Sequence, residues 1–302
     1  MAVLKSIKGI EQVTKIIVDS TCDLPDEFMA RYDIRSLPLK VLLNGKEYLD
    51  KVTIQVDDVY EAMRQGIVPK TSLPNPVDIF ALFDDYCTRG HDFIYLAFSS
   101  LLSGTYEIAS AVIDEMKLRF PEIKMQIIDT RSGSTATGLI ALQAARMSDR
   151  GKSFDTIVGQ VYKLVDHVEH IFTLTDLKWL TKGGRLNRSA AMLGNILNIK
   201  PILQVNDGIM EVIGKVRGRK NAINTIVDIV EARISDFPDQ IIGISHADDL
   251  EGAQVLSREI DRRLGAKSKI VNKIGSVLGS HLGIGGLGVF FFNKKLDIYI
   301  ND

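Results

Sequence analysis

Residues 93–98 read FIYLAF, and the hydroxyl-rich segment SSLLSGT follows directly at residues 99–105. The unbroken apolar run predicts a strand that is buried on both faces, as in parallel sheets that helices cover on either side. Ser103 is a residue type that commonly caps a helix, and the segment after it has helical periodicity as far as Leu118. This stretch therefore predicts a strand, a polar loop and a helix in succession.

The rest of the first half repeats this alternation of short β-branched runs and helical segments, which predicts a doubly wound, mostly parallel sheet. Asn44-Gly45 between two apolar runs predicts a hairpin. Asp23 with Pro25 predicts one helix start, and Asn75-Pro76 predicts another. The predicted strands are 15–18, 39–43, 47–49, 93–98 and 125–128, and further helices are predicted at 103–118 and 134–147.

The second half follows a different plan, beginning with a helix that Ser153 is predicted to cap. Asn206-Asp207-Gly208 is a strong turn signal between two apolar runs, so it predicts antiparallel pairing and a mixed or antiparallel sheet. Strands are predicted at 171–174, 202–205, 210–213, 240–244, 289–292 and 296–300, and helices at 221–234 and 250–264. We therefore predict two α/β domains, an N-terminal one over residues 13–155 and a C-terminal one over residues 156–302.

Composition narrows the classes of function. The 302 residues carry a net charge of −1, which gives no electrostatic reason to expect a nucleic-acid partner. Cys22 and Cys87 are too few for a disulfide scaffold and favour a cytoplasmic location. The sequence contains no run of 18 apolar residues, so no integral membrane segment is predicted. Residues 1–9 lack the pattern of a signal peptide.

Three clusters of small and hydroxyl residues are candidates for a binding site. They are Thr71-Ser72-Leu73-Pro74, the SSLLSGT segment at 99–105, and Gly279-Ser280-His281-Leu282-Gly283-Ile284-Gly285. Each is predicted to be a loop at a sheet edge. Together they offer hydroxyl and backbone N–H donors and one imidazole, without a convergent carboxylate or a set of metal ligands. These groups suit the binding of an anion better than the cleavage of a bond.

Five motifs in sequence order resemble the DegV family of bacterial fatty-acid-binding proteins. The resemblance implies a two-domain α/β protein with one fatty acid buried between the domains and no cofactor besides that ligand. It further implies a lipid-binding subunit, not itself an enzyme, that presents the acyl carboxylate to a separate ATP-using kinase subunit. The chain departs from the family at Ile284, where proline is usual, and at Thr181, where lysine is frequent. The motifs are Thr71-Ser-x-Pro74, Ser99-Ser100-x-x-Ser103-Gly104-Thr105, Lys182-Gly183-Gly184-Arg185-Leu186, Lys200-Pro201-Ile202-Leu203 and His281-x-Gly283.

The resemblance assigns the carboxylate end of the ligand to residues of these motifs. Because each buried methylene contributes roughly 0.8 kcal/mol, the acyl tail is expected to supply most of the affinity. A buried carboxylate must be hydrogen-bonded or paired, so the head-group residues mainly offset its desolvation. The predicted ligand-binding residues are Thr71, Ser72, Ser99, Ser100, His281 and Gly283.

Taken singly, these residues also have ordinary structural interpretations. The Thr71 motif resembles a turn before a helix, Ser99 and Ser100 a polar strand end, and His281 a satisfied structural histidine. Two interpretations are open for the segment Lys182-Gly183-Gly184-Arg185. It can be a phosphate loop, although it lacks the Walker arrangement, or it can be a helix C-cap glycine followed by a solvated arginine.

Two arginines are candidates for contact with the kinase subunit. By resemblance, Arg185 lies near the pocket mouth or on the surface that faces the kinase. The basic segment at 215–220, which contains Arg217, is either a solvated turn or a docking patch for an acidic partner surface.

Two other classes of function remain open on the sequence. Gly243-Ile244-Ser245-His246-Ala247 is a weak match to the nucleophile elbow of a serine hydrolase, with Ser245 as its nucleophile and His281 as the remaining base. A stand-alone lipid sensor or carrier would use the same pocket without a kinase partner.

Overall fold

The computed structural model describes residues 13–175, 177–185, 198–234 and 237–301. The first half forms β1 (Lys15–Asp19), α1 (Asp26–Arg31), β2 (Arg35–Leu37), β3 (Lys40–Leu43), β4 (Lys46–Leu49), α2 (Val56–Arg64), β5 (Lys70–Ser72), α3 (Pro76–Thr88), β6 (Phe93–Ala97), α4 (Thr105–Arg119), β7 (Met125–Asp129) and α5 (Ser134–Asp149). The second half forms α6 (Phe154–His167), β8 (Val168–Thr173), α7 (Lys178–Gly183), β9 (Ile199–Asn206), β10 (Ile209–Arg217), α8 (Arg219–Arg233), β11 (Ile241–His246), α9 (Leu250–Leu264), β12 (Ser268–Lys273), α10 (Ser276–Leu282) and β13 (Leu287–Phe292).

The first half is built on a four-stranded parallel sheet in the order β2-β1-β6-β7. Every residue of β6 is buried, as its apolar run predicts. Helices α3 and α4 pack on one face of this sheet, where Phe83 and Ile113 contact the core around Tyr95. Helix α5 covers the other face. The predicted doubly wound, parallel arrangement is confirmed.

The second half contains a six-stranded sheet in the order β10-β9-β8-β13-β11-β12. Only β11 and β12 run parallel, and the other neighbours are antiparallel, so the predicted mixed sheet is also confirmed. The Asn206-Asp207-Gly208 turn joins β9 and β10 as a hairpin. Helices α8 and α9 cover one face, while α5 and α6 pack against the other. The division of the chain at residue 155 stays a prediction.

A small antiparallel sheet, β4-β3-β5, completes the first half. Val41 of β3 lies opposite Thr71 of β5 and is fully buried. Helices α2 and α10 pack beside it, with Tyr60 and Val277 in their shared core. The Thr71 motif therefore begins on an edge strand and not in a free loop.

Two sequence-based expectations were wrong in detail. Residues 296–300 form no strand, although Leu296 and Ile300 are buried in the core beside α5. Asp23 does not start a helix, because α1 begins at Asp26 and the Asp23 carboxylate accepts hydrogen bonds from Ser134 and Gly275 instead. Within the described ranges, no helix combines the length and the apolar composition needed to cross a bilayer.

Candidate ligand-binding site

An apolar cavity lies where the two halves of the chain meet. The first half contributes Phe98, which follows β6, and the second half contributes Phe172 of β8 and Phe290 of β13. Leu278 and Leu282 of α10 add aliphatic walls. The side chains that line it are mostly hydrophobic, so the cavity suits an apolar ligand.

A second cavity, which we call the Thr71 cavity, adjoins the first. The two cavities share part of their walls, and the shared residues are Phe98, Leu102, Met210, Leu278 and Leu282. The Thr71 cavity also has polar and charged lining residues, namely Thr71, Ser72, Ser103, Arg185 and His281. Together the cavities provide a polar end and an apolar end.

Thr71 and His281 meet in this cavity although 210 positions separate them in the chain. Thr71 Oγ1 lies 2.7 Å from His281 Nε2. Burial, followed by the nearby positive charge of Arg185, lowers the pKa of His281 to about 4. At neutral pH the imidazole is therefore uncharged. Its Nδ1 is buried and has no hydrogen-bond partner among the described residues.

The two adjacent glycines of the Lys182 motif position α7 against His281. A Cβ at Gly183 would overlap the His281 ring, so only glycine allows this approach. Gly184 has a φ of +69° and forms the left-handed C-cap of α7. The C-cap interpretation of the motif is therefore the one the structure supports, and Leu186 lies outside the described residues.

Arg185 is not a freely solvated side chain. It is half-buried and lines the Thr71 cavity, where its Nε donates to Leu102 O at 3.3 Å and its Nη1 donates to Gly183 O. The polar end of the site therefore carries a positive charge, whereas the residues predicted to bind the carboxylate offer only uncharged donors. A cation at this position can compensate an anionic ligand group.

Ser99 and Ser100 use their donors within the protein. Ser99 Oγ donates to Gly208 O at 2.8 Å, and Ser100 Oγ donates to Asp129 Oδ2 at 2.5 Å. Their backbone N–H groups donate to Ser132 O and to Asp129 Oδ1. Neither serine lines the two cavities, although the same loop contributes Leu102 and Ser103. The expected absence of a carboxylate beside these donors was wrong, because Asp129 lies there.

The remaining predicted residues differ in whether they line the Thr71 cavity. Ser72 lines the Thr71 cavity. Gly283 does not line it but ends α10 with a φ of +80°, and a Cβ there would overlap Trp179. Although Ile284 replaces the usual proline, its carbonyl accepts a bond from Thr175 Oγ1 at 2.8 Å, which helps to fix the loop. Arg217 is exposed at the end of β10.

Ser245 has no surroundings that would make it a nucleophile. It is fully buried on β11, and its hydroxyl lies 2.6 Å from that of Thr135. His246 Nδ1 accepts a bond from the backbone N–H of Asp249, and the His281 ring faces Thr71. The described residues therefore form no serine–histidine pair here, and the hydrolase interpretation is not supported.

The comparison with known families agrees with this geometry. The model of the DegV family, described as an uncharacterised protein family, matches residues 13–294. The chain belongs to the DegV family. A DegV domain-containing protein of Clostridium perfringens is 37% identical over 279 residues, which cover 91% of this chain and 96% of that protein.

Solved structures of DegV proteins show the same fold. A fatty-acid-binding DegV protein of Thermus thermophilus superimposes with a TM-score of 0.85 at 28% identity, covering 92% of this chain and 98% of that one. A stearic-acid-binding protein of Eubacterium ventriosum gives a TM-score of 0.86 at 26% identity, covering 92% and 97%. Each of these two relatives binds a fatty acid.

Two further residues of this DegV site were not predicted from the sequence. Asp129 follows a predicted strand at the same sheet edge as Ser100, so the parallel order of β6 and β7 was the signal that could have found it. Arg185 was predicted to lie near the pocket mouth or on the kinase-facing surface, and it lines the Thr71 cavity. His170 is a buried residue of β8 that lines the apolar cavity, and no sequence motif marks it.

Proposed function

We propose that this DegV protein binds one long-chain fatty acid and presents its carboxylate to a separate ATP-dependent kinase subunit, which forms the acyl phosphate. The protein itself serves as the lipid-binding subunit and supplies no catalytic group. The observation that carries the proposal is that the two cavities adjoin and share five lining residues, with Thr71, His281 and Arg185 lining one of them and mostly hydrophobic side chains lining the other. Relatives of the same fold that bind fatty acids support it.

The apolar cavity supplies the affinity in this proposal. At roughly 0.8 kcal/mol per buried methylene, about fifteen methylenes contribute on the order of 10 kcal/mol before the ligand's ordering is subtracted. The walls come from the segment that follows β6 and from β8, β13 and α10, so a bound tail contacts both halves of the chain.

The Thr71 cavity receives the carboxylate. Arg185 provides the opposite charge, while Thr71, Ser72 and the neutral His281 provide hydrogen bonds without a second formal charge. Ser99 and Ser100 act indirectly, because their hydrogen bonds to Gly208 and Asp129 hold the loop that contributes Leu102 and Ser103 to the Thr71 cavity. Gly283 contributes only its backbone conformation, which ends α10, the helix that carries His281.

Head-group variants test the binding step. Thr71→Val and His281→Ala are expected to weaken fatty-acid binding at least tenfold, and Ser100→Ala by a smaller factor because that serine is already engaged by Asp129. Mass spectrometry of lipid extracted from each purified protein and titration with octadecanoic acid measure the effect. His91→Ala, at a half-buried histidine outside both cavities, is the matched control. Unchanged binding in Thr71→Val and His281→Ala would contradict the head-group assignment.

Charge reversals separate ligand binding from kinase docking. Arg217 is exposed and distinct from the cavity residues, so Arg217→Glu is expected to retain the lipid but lower acyl-phosphate formation in a reconstituted assay with the kinase subunit. Arg185→Glu is expected to lose the lipid itself, because it places a negative charge in the Thr71 cavity. Lys117→Glu, on the exposed surface of α4, controls for net charge. Normal phosphorylation with Arg217→Glu would remove the docking role of that residue.

A further inference from the structure

The apolar cavity contains a polar feature that the binding of a simple acyl chain does not use. His170 lies in β8, is 4% exposed and lines the cavity. Its ring meets that of Phe290 edge-on, with 5.7 Å between the centroids. Neither Nδ1 nor Nε2 has a hydrogen-bond partner among the described residues.

A neutral imidazole carries one N–H donor and one acceptor nitrogen. Burial lowers the pKa of His170 to about 3, so the ring is neutral at physiological pH. Both of its polar atoms are thus withdrawn from solvent without a protein partner, which is unfavourable in an apolar wall. A phenylalanine or leucine would fill this position without that penalty.

Ser132 gives an independent second observation at the same place. It is 1% exposed, lines the same cavity, and its Oγ has no hydrogen-bond partner among the described residues. Two other hydroxyls of the cavity are satisfied, because Ser134 Oγ donates to Asp23 and Thr173 Oγ1 donates to Pro201 O. Of the four polar side chains His170, Ser132, Ser134 and Thr173, only the first two therefore lack a hydrogen-bond partner among the described residues.

His170 and Ser132 lie in a part of the apolar cavity that the Thr71 cavity does not share. A group that pairs with them therefore belongs to the acyl chain and not to the carboxylate. A hydroxyl can donate one hydrogen bond and accept another, so it matches an imidazole and a serine at once. A plain alkyl chain leaves both side chains unpaired.

We propose that the ligand of this pocket is a hydroxylated long-chain fatty acid whose chain hydroxyl hydrogen-bonds to His170 and Ser132. This inference rests on the proposed function, since it places an acyl chain in the apolar cavity. It adds a specificity determinant that contacts the middle or far part of the acyl chain. The carboxylate contacts at Thr71 and His281 are unchanged.

The alternative occupant is water. His170 and Ser132 also line a polar cavity whose other lining residues include Arg131 and Asp166. Water entering from that side could pair with both groups, and hydroxylated and plain chains would then bind alike. The test is therefore a comparison of matched ligands in the same protein.

The experiment measures dissociation constants for octadecanoic acid and for a positional series of monohydroxyoctadecanoic acids. We expect at least one isomer to bind at least tenfold more tightly than octadecanoic acid, and we expect His170→Phe to abolish this preference. Ser132→Ala provides a second, smaller substitution that is expected to reduce the same ratio if His170→Phe fails to fold. His91→Ala is the control histidine variant.

The outcomes separate the two proposals. Binding of octadecanoic acid with no preference for any hydroxylated isomer overturns this inference and leaves the proposed function standing. A preference that persists in both His170→Phe and Ser132→Ala also overturns it. If no fatty acid binds at all, the proposed function fails together with the inference.

Discussion

Asp23 is a buried carboxylate that connects three separate segments of the chain. It accepts hydrogen bonds from Ser134 Oγ at 2.6 Å and from the backbone N–H of Gly275 at 2.9 Å. Burial raises its pKa to about 6, although the positive charge of Lys51 opposes the shift. The carboxylate therefore joins the loop after β1 to the N-terminal ends of α5 and α10, the helix that carries His281.

This raised pKa predicts a specific dependence of stability on pH. Between about pH 4 and pH 6 the folded protein holds a proton on Asp23 that the unfolded chain has released, so the free energy of unfolding falls as pH rises. Relative to Asp23→Asn, the wild type should lose roughly 2 to 3 kcal/mol across this window. Urea denaturation at several pH values measures the difference. Asp26→Asn, at an exposed position in α1, is the control, and a wild-type curve parallel to that of Asp23→Asn would contradict the prediction.

Residue types in the pocket were easier to predict than their partners. Thr71 and His281 were identified from motifs, but their contact joins β5 to α10 across 210 positions. Ser100 was predicted to have a free donor because nothing local in the sequence shows that Asp129 reaches it. Such pairings depend on which strands are neighbours, and single motifs do not carry that information.

At the scale of elements, the C-terminal segment shows how side chains can replace a strand partner. Gln143 of α5 donates to Ile300 O at 3.0 Å and accepts from Ile300 N at 2.9 Å. Arg146 Nη1 also donates to Ile300 O, at 2.8 Å. The run at 296–300 was predicted to be an edge strand, since its apolar side chains favour burial. The helix satisfies its backbone instead.

Gln143→Ala tests this attachment. The substitution removes the acceptor of the buried Ile300 N–H, which is expected to lower the free energy of unfolding by about 1–3 kcal/mol. Chemical denaturation measures the loss. Gln65→Ala provides the comparison, since Gln65 is exposed at the C-cap of α2 and its side chain makes one observed hydrogen bond among the described residues, to Glu61. Equal stabilities for the two variants would show that the Ile300 contact contributes little.

Elements with a strong local signal were predicted well, and α10, which lacks one, was not. β6, α9 and the β9–β10 hairpin have strong local signals in an apolar run, a helical period or an Asn206-Asp207-Gly208 turn. The seven-residue α10 was predicted to be part of a loop. Its conformation depends on packing, because Gly279 lies so close to Tyr60 that a Cβ would meet the tyrosine hydroxyl. Distant contacts of this kind determine the short elements that build the pocket.

For the whole molecule, α5 is the structural link between the two sheets. Every residue from Ser134 to Ser148 is buried, and the helix packs against both the parallel sheet and the mixed sheet. The apolar cavity lies beside its N-terminal end, where Gly133 and Ser134 contribute to the wall. A ligand in that cavity therefore adds contacts between the same two halves that α5 already joins.

If the pocket holds an acyl chain as proposed, Leu278 is placed to control its length, because this residue lines both cavities and is 7% exposed. Leu278→Trp should obstruct the passage, so that octadecanoic acid binds at least tenfold more weakly while decanoic acid is affected less. Leu118→Trp adds the same bulk at a position that is 86% exposed and should change neither affinity. Because overpacking also destabilises proteins, thermal unfolding of both variants is recorded beside the titrations. Folded Leu278→Trp protein with an unaltered preference among chain lengths would show that the acyl chain does not pass between the two cavities.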